Sequence, residues 1–168
     1  MKGIFSTAIA AGLLLLSPTI ASAMDRIIVA TFNDSNSAYE AAKAAKDLTD
    51  LKIKTGIMIS KDQNGNVSAL ESRGRPLFGT VVGTASGALI GLIAGAPGAA
   101  VGAALGATSG LGADTVNAML DSSFVNSVRS GMRPGTTAII VEADEASTRA
   151  VDDIVARYQG QVYRQTTH

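Results

Sequence analysis

The alternation of apolar and polar residues predicts a strand–helix–strand unit near the start of the chain. Residues 26–32 (RIIVATF) form a β-branched run, and residues 52–60 (KIKTGIMIS) alternate with the period of a half-buried strand. Between them, residues 38–48 have helical spacing. Ser37 and Glu40 have the S-x-x-E spacing of a capping box, so the helix is expected to begin there.

A turn signal follows the second strand. Asn64 and Gly65 form a dipeptide typical of tight β-hairpins, so a ribbon is expected to extend this strand. The surrounding DQNGN sequence also resembles part of a calcium-binding loop, but the acidic ligand that would close such a loop is absent. The turn is therefore the preferred interpretation.

The end of the chain repeats the strand–helix–strand pattern. Residues 136–143 predict a strand, residues 144–158 a helix, and QVYRQ a short closing strand. Gly160 is placed to end this helix, and Asp144 and Glu145 are expected at its start, where the helix dipole favours negative charge. Its apolar face contains Ala150, Val151, Ile154, Val155 and Tyr158.

A further helix is predicted directly before this second unit. Asp121 is expected to be its N-cap, and Gly131 and Pro134 are expected to end it. Its apolar face contains Phe124, Val125 and Val128. Two βαβ units of this size can join their strands in one sheet with both helices on one face. The predicted fold is therefore an α+β, ferredoxin-like sandwich.

The stretch between the two units contains a glycine repeat. No charged residue occurs from residue 76 to residue 113. Glycine recurs at every fourth position, with one change of register at Pro97, and the repeat comprises Gly79, Gly83, Gly87, Gly91, Gly95, Gly98, Gly102, Gly106 and Gly110. Because residues i and i+4 are neighbours on a helix, this row forms a groove that a second helix can approach closely. We expect a glycine-zipper helical hairpin in which these glycines are the helix-packing and oligomer contacts.

The environment of this hairpin is left open by the sequence. Its first arm carries Val81, Val82, Leu89, Ile90, Leu92 and Ile93, which suit either lipid or a protein core, whereas the second arm is mostly alanine. Residues 79–95 would rise about 25 Å as a helix, against about 30 Å of bilayer hydrocarbon, so one arm is marginal as a span. Interhelical hydrogen bonds are expected from Thr80, Thr84, Ser86, Thr108 and Ser109.

Composition and charge narrow the possible functions. The 168-residue chain has 14 basic and 14 acidic side chains, so it shows no basic excess for binding nucleic acid. It contains no cysteine, and its one histidine, His168, is the last residue, so no catalytic triad, metal site or cofactor is expected. Asp152 and Asp153 point about 100° apart on a helix and are interpreted as a solvated face. The sequence does not predict an enzyme.

The first 23 residues have the three-part pattern of a secretory signal peptide. A lysine near the start, an apolar run and a final Ala21-Ser22-Ala23 indicate cleavage after Ala23. The alternative is that Met24 is the initiator. Export would place the protein on the periplasmic side of a membrane, whereas a start at Met24 would place it on the cytoplasmic side.

Three segments together resemble a known family. They are MDRIIVATFNDSNSAYEAAKAAKDL, the uncharged glycine-rich centre, and DSSFVNSVRSGMRPGTTAIIVEA with the closing YQGQVYR. The combination, over residues 24–166, resembles a bacterial family of unknown function described as predicted membrane proteins with a central glycine-zipper hairpin. The resemblance implies membrane association and oligomerisation, and it implies no reaction or catalytic residue.

The sequence thus divides into four parts with one leading hypothesis. The parts are a signal peptide (1–23), the first βαβ half with its ribbon (24–75), the hairpin (76–113), and a linking helix with the second half (114–168). The leading hypothesis is a non-enzymatic, membrane-associated homo-oligomer that shapes or permeabilises a bilayer. The alternative is a soluble homo-oligomeric scaffold or binding protein whose hairpin is the buried assembly core. By fold analogy alone, a small-ligand regulator is a third class.

Overall fold

The strands of both predicted units join one antiparallel sheet in the computed structural model, which describes residues 24–70, 85–94 and 119–167. The strands are β1 (Met24–Phe32), β2 (Leu51–Lys61), β3 (Val67–Ala69), β4 (Thr137–Glu145) and β5 (Gln161–Thr166). Their order is β3-β2-β4-β1-β5, and each neighbouring pair is antiparallel. β4 therefore lies between β1 and β2, and β1 lies between β4 and β5. Neither βαβ unit forms a separate sheet.

Helices cover both faces of this sheet. They are α1 (Ser35–Lys46), α2 (residues 85–94), α3 (Ser122–Gly131) and α4 (Thr148–Arg157). Because successive strand residues point to opposite faces, β1 contributes Ile28 and Ala30 to a core beneath α1 and α4. The same strand contributes Ile27 and Val29 to a second core with α2 and α3. The protein belongs to the α+β class.

α1 begins one turn earlier than the capping box predicts. Asp34 is its N-cap, and its carboxylate accepts hydrogen bonds from the Ser37 amide at 2.8 Å and from the Ser37 hydroxyl at 2.7 Å. These bonds, the amide bond first, lower the pKa of Asp34 below its ordinary value. Ser37 therefore donates to the N-cap residue and is not itself the N-cap. Asp34 is the N-cap because its carboxylate accepts the Ser37 amide, which has no helical partner in the first turn. Glu40 instead pairs with Lys43 at 3.5 Å.

The hairpin between β2 and β3 has the predicted turn. Gly65 has a φ of +87°, a value that favours glycine. The Oδ1 atom of Asp62 accepts the amides of Asn64 and Asn66, and its Oδ2 atom accepts the side-chain amide of Asn66. These bonds, led by the Asn66 side chain, lower the pKa of Asp62. The DQNGN sequence is thus a self-bonded turn.

The RPGT sequence between α3 and β4, which belongs to one of the segments of the family resemblance, forms a second turn. The amide of Thr136 donates to the carbonyl of Arg133 at 3.1 Å, with Pro134 and Gly135 at the two central positions. Gly135 has a φ of +86°, as the third residue of a type II turn requires. The amide of Gly135 also donates to the carbonyl of Lys61 at 2.8 Å, so this turn attaches the start of β4 to the end of β2.

α3 has the predicted position and apolar face. Asp121 is its N-cap, although its side chain makes no capping hydrogen bond, and Phe124, Val125 and Val128 are buried. The helix ends at Gly131, where an added Cβ would overlap the hydroxyl oxygen of Tyr163 on β5. Glycine at this position therefore lets the Tyr163 side chain of β5 lie close to the end of α3.

The predicted start of the last helix is wrong. Asp144 and Glu145 belong to β4, which continues in register with β1 as far as the Met24–Glu145 pair, and α4 begins at Thr148 after the N-cap Ser147. Strand pairing outweighs the preference of acidic residues for a helix start, because the Glu145 carboxylate is held by Arg26 of β1 and Arg164 of β5. The expected apolar face is confirmed by the burial of Val151, Ile154 and Val155.

The end of α4 differs from the prediction by one residue. The amide of Gly160 donates to the carbonyl of Val155 at 2.8 Å, and that of Gln159 donates to Ala156 at 3.0 Å, which is a Schellman ending. Gln159, with a φ of 56°, occupies the left-handed position that Gly160 was expected to fill. Gly160 is needed at its position for a different reason, which is the close approach of the Phe32 side chain. A Cβ added to Gly160 would lie 2.6 Å from the Phe32 ring.

Candidate assembly surface

α2 is the described part of the predicted glycine-zipper hairpin, and it packs on the sheet. Leu89 and Ile90 are fully buried and Ile93 nearly so, in the core that contains Ile27 and Ile140 of the strands. Of the two environments that the sequence left open, these three side chains occupy a protein core. One side of α2 thus packs on the sheet.

A carboxylate on β4 fixes the first described turn of α2. The Oε1 atom of Glu142 accepts the backbone amide of Ser86 at 3.0 Å and its hydroxyl at 2.7 Å. Hydrogen bonds to an ionised carboxylate are about twice as strong as those between neutral groups. The side chain of Ser86 is fully buried, so this bond is sheltered from water. Ser86 was expected to bond to another helix, and its partner here is a strand.

An arginine of α3 holds the other end of α2. The Nη2 atom of Arg129 donates to the carbonyl oxygen of Leu92 at 2.7 Å. A guanidinium is a charged donor, and its hydrogen bonds are stronger than those between neutral groups. The described part of α2 is therefore attached to the rest of the protein by a carboxylate at Ser86 and a guanidinium at Leu92.

The predicted glycine stripe lies away from the sheet. Gly91 is two residues from both Leu89 and Ile93, which places it on the opposite side of the helix. A Cβ added to Gly91 would have no atom of the described chain within 4 Å. Gly87, one turn earlier on the same side, is buried. Within the described residues, this side of α2 is thus open at Gly91 and not at Gly87.

The remaining predicted contact residues lie outside the described residues, and they are Gly79, Gly83, Gly95, Gly98, Gly102, Gly106 and Gly110. The segments predicted as a signal peptide and as the second arm of the hairpin also lie outside the described residues. The same applies to Thr80, Thr84, Thr108, Ser109 and the terminal His168.

The sequence did not predict the roles of Glu142 and Arg129. One local signal was present for Glu142, because it is the only charged residue in the apolar run AIIVEA and its alternation places it on the same face as Ala138 and Ile140. An inward charge in a strand indicates a buried partner. Arg129 had no such signal, since it occupies an exposed position on α3.

A second buried carboxylate lies on the opposite face of the sheet. The side chain of Glu145 is fully enclosed, and its oxygens accept hydrogen bonds from Arg26 at 3.2 Å and from Arg164 at 2.9–3.0 Å. Arg164 also contacts Asp152 on α4 at 2.7 Å, so Asp152 is ion-paired rather than only solvated. Burial opposes the charge of Arg164, but its bonds to the two carboxylates prevail and raise its pKa above the ordinary value. This network ties β1, β4 and β5 to α4.

The core beneath α1 contains a small cavity. Its volume is about 40 Å³, and its lining is apolar, with Ala41, Ala42 and Ala45 of α1 opposite Phe32 and Ile139. An apolar cavity of this kind stays dry, and this one is far smaller than a ligand-sized pocket. It is a packing void left by the short side chains of α1.

Two further findings concern membranes and metals. Within residues 24–70, 85–94 and 119–167, no helix combines the length and hydropathy needed to cross a bilayer. The same residues contain no group of three or more potential ligands that could hold a metal ion.

Comparison with known proteins gives one match. A family model described as a protein of unknown function (DUF1269) matches residues 80–167, which include α2, α3, β4, α4 and β5. No curated protein and no solved structure gives a significant match.

Proposed function

The chain belongs to the DUF1269 family, whose function is unknown, and we propose a function for it from the geometry of α2. The protein is a non-enzymatic scaffold that self-assembles through the glycine-bearing side of this helix. The observation that carries the proposal is the division of α2 into two sides. One side is buried on the sheet through Leu89, Ile90 and Ile93, while on the other side a Cβ added to Gly91 would have no atom of the described chain within 4 Å.

The physical basis is the close approach that glycine permits. A helix face without side chains lets a second helix backbone come near, so that dispersion contacts along the backbone compensate for the low helix propensity of glycine. The partner we propose is the glycine-bearing side of the same hairpin in another copy. The sheet provides the rigid support that sets the direction of this surface.

The test is a single substitution, Gly91→Leu. Leucine fills the groove and is expected to weaken assembly, whereas within one copy it should stabilise α2 by about 0.8 kcal/mol, because leucine is the better helix former. Mass photometry of the full chain measures oligomer size, and urea denaturation measures the stability of the fold. The expected result is a smaller oligomer without loss of fold stability.

Gly91→Ala is the matched control. Alanine keeps the small–xxx–small pattern and should leave the oligomer size unchanged. The double substitution of Gly87 and Gly91 by leucine extends the test along the stripe. An unchanged oligomer size in both leucine variants would refute the proposal.

The membrane-associated version of this function depends on the remainder of the uncharged stretch, residues 76–113. Its support is the absence of any charged residue over this length, together with the apparent signal peptide. Fractionation of cells tests membrane association, because a bilayer-inserted protein needs detergent for extraction. Recovery in the soluble fraction would favour the soluble scaffold.

Mass spectrometry of the mature N-terminus tests export, with cleavage after Ala23 as the expected result.

We also propose a ferredoxin-like fold for the two βαβ units. The support is the order β2-β4-β1-β5, in which the strands of the two units interleave, with α1 and α4 beneath one face. β3 is then an added edge strand, and α2 and α3 are an addition to the second face. An experimental structure with a different strand order would refute this assignment.

A further inference from the structure

We propose that Asn64 is a site of spontaneous covalent modification, at which the amide nitrogen of Gly65 attacks the side-chain amide of Asn64 and water then opens the resulting imide. The products are aspartate and isoaspartate at position 64. This inference concerns the turn between β2 and β3, and it does not depend on self-assembly through α2. It rests on the chemistry of an Asn-Gly pair, on the exposure and bonding of the two residues, and on the contacts between this turn and β4.

Both reacting groups of the Asn-Gly pair are accessible in the folded protein. Gly65 has no side chain to hinder the approach of another group to its amide nitrogen. The nearest atom to a Cβ added at Gly65 would be Cε of Lys61, at 4.0 Å, so the space beside this residue is also open. The side chain of Asn64 is exposed, and water therefore reaches the amide that is to be lost.

Hydrogen bonding distinguishes the two asparagines of this turn. Within residues 24–70, 85–94 and 119–167, no hydrogen bond holds the side-chain amide of Asn64. The side-chain amide of Asn66 instead donates to Oδ2 of Asp62 at 2.9 Å. Asn66 is also followed by Val67, whose β-branched side chain hinders attack by its amide nitrogen. The reaction is therefore expected at Asn64 and not at Asn66.

The two chemical steps balance with water as the only reagent. The nitrogen of Gly65 loses its proton to solvent and forms a bond to Cγ of Asn64, while the Cγ–Nδ2 bond breaks and ammonia leaves with a proton from solvent. Water then adds its oxygen to one of the two imide carbonyl carbons, and the nitrogen recovers a proton. Opening at the side-chain carbonyl gives aspartate. Opening at the main-chain carbonyl gives isoaspartate, in which the backbone runs through Cγ and is longer by one carbon.

The Asp62 turn slows the first of these steps. The attacking amide of Gly65 donates to the carbonyl of Asp62 at 3.1 Å, and this bond is lost on ring closure because an imide nitrogen carries no hydrogen. Oδ1 of Asp62 also accepts the amides of Asn64 and Asn66, each at 2.8 Å, so the backbone is held on both sides of the reacting bond. The folded protein therefore reacts through local opening of the turn, more slowly than the unfolded chain.

Isoaspartate at position 64 would disturb the corner where β2 meets β4. The extra carbon lies inside the turn that the bond from the Asp62 amide to the Asn66 carbonyl closes at 2.9 Å. Directly beside this bond, the carbonyl of Lys61 accepts the amide of Gly135 at 2.8 Å. The side chain of Gln63 also lies against Gly135, since its Nε2 atom would be 2.9 Å from an added Cβ. The isoaspartate form is therefore expected to unfold at a lower urea concentration than the unmodified protein.

The test is incubation of the full-length protein at mildly alkaline pH in water enriched in the heavy oxygen isotope. Peptide mass spectrometry should find heavy oxygen and both products at position 64, and the reaction should be several-fold slower in folded protein than in urea. Asn126 is the internal control, because it lies within α3 and should remain unmodified in the folded protein. An unmodified position 64 in the folded protein would overturn the proposal.

Two variants separate the reaction from the effect of the turn. Asn64→Gln is the matched control and should not react, because its longer side chain closes a larger and slower-forming ring. Asp62→Ala removes the carboxylate that accepts the turn amides, so the folded variant should react several-fold faster than wild type. Equal rates in wild type and Asp62→Ala would overturn the role of the turn. A purified isoaspartate form with the urea midpoint of wild type would overturn the effect on the β2–β4 corner.

Discussion

Adjacent residues at the end of α4 should respond to substitution with opposite signs. Gln159 adopts a φ of 56°, in the left-handed region that is unfavourable for residues with a Cβ. Gly160 follows it in extended chain, and an added Cβ would lie 2.6 Å and 2.8 Å from two atoms of the Phe32 ring and 2.8 Å from Val155. We therefore expect Gln159→Gly to stabilise the fold and Gly160→Ala to destabilise it.

The magnitudes follow from two opposing terms at each position. The left-handed conformation costs about 1–2 kcal/mol for a residue other than glycine, and glycine loses about 0.5–1 kcal/mol through the greater freedom of its unfolded chain. Gln159→Gly should thus raise the free energy of unfolding by about 0.5–1 kcal/mol. At Gly160, overpacking costs about 1–3 kcal/mol and the loss of unfolded-state freedom returns about 0.4–1 kcal/mol. A net loss of about 1–2 kcal/mol is expected, because Phe32 is buried and has little room to move.

Urea denaturation of the two variants and wild type measures both effects. The transition midpoint should rise for Gln159→Gly and fall for Gly160→Ala, with the same m-value in all three proteins. The double variant tests whether the terms add. If Gln159→Gly left the midpoint unchanged or lowered it, the assignment of the left-handed position to Gln159 would be wrong.

Three further predictions concern other contacts. Gly131→Ala should lower the free energy of unfolding by about 1–3 kcal/mol because its methyl group would overlap the Tyr163 hydroxyl, and Tyr163→Phe in the same chain should recover part of the loss in urea melts. Glu145→Gln should cost about 3 kcal/mol, since it removes the charge of a fully enclosed carboxylate that pairs with Arg26 and Arg164. The exposed Glu40→Gln should cost less than about 0.5 kcal/mol under the same conditions, and equal losses would contradict the role assigned to burial. Asp34 has a lowered pKa in the folded state, so its stabilising contribution is present above about pH 3.9, the ordinary value, and is lost as the pH falls through the folded value. Asp34→Asn should therefore reduce the fall in melting temperature between pH 5 and pH 2, and an unchanged slope would contradict this.

Periodicity and turn chemistry were sufficient for most of the described elements. The Asn64-Gly65 turn, the apolar face of α4 and the helix after Asp121 were predicted because each depends on residues close together in the chain. The start of α4 was not predicted correctly. Glu145 reads locally as a helix-start residue, whereas its partner Arg26 lies 119 positions away and is brought near only by the sheet.

The candidate assembly surface on α2 was also predicted only in part, because some of its contacts join residues far apart in the chain. The glycine repeat indicated a helix with one bare side, and Gly91 does lie on the side of α2 opposite the sheet. Glu142 and Ser86 are separated by 56 positions, and no local pattern connects them. A carboxylate in an apolar strand indicates that a partner exists without indicating which residue it is.

The sequence by itself determined the strand and helix periods, the turn that needs glycine at positive φ at Gly65, and the uncharged, glycine-rich character of the segment between the units. These properties depend on backbone sterics and on the spacing of residues along one element. Only the tertiary structure decided where Leu89, Ile90 and Ile93 are buried. The physical reason is that the hydrophobic effect is non-directional, so an apolar helix face packs on whichever apolar surface is available. That surface, the second face of the sheet, exists only after strands from both ends of the chain have paired.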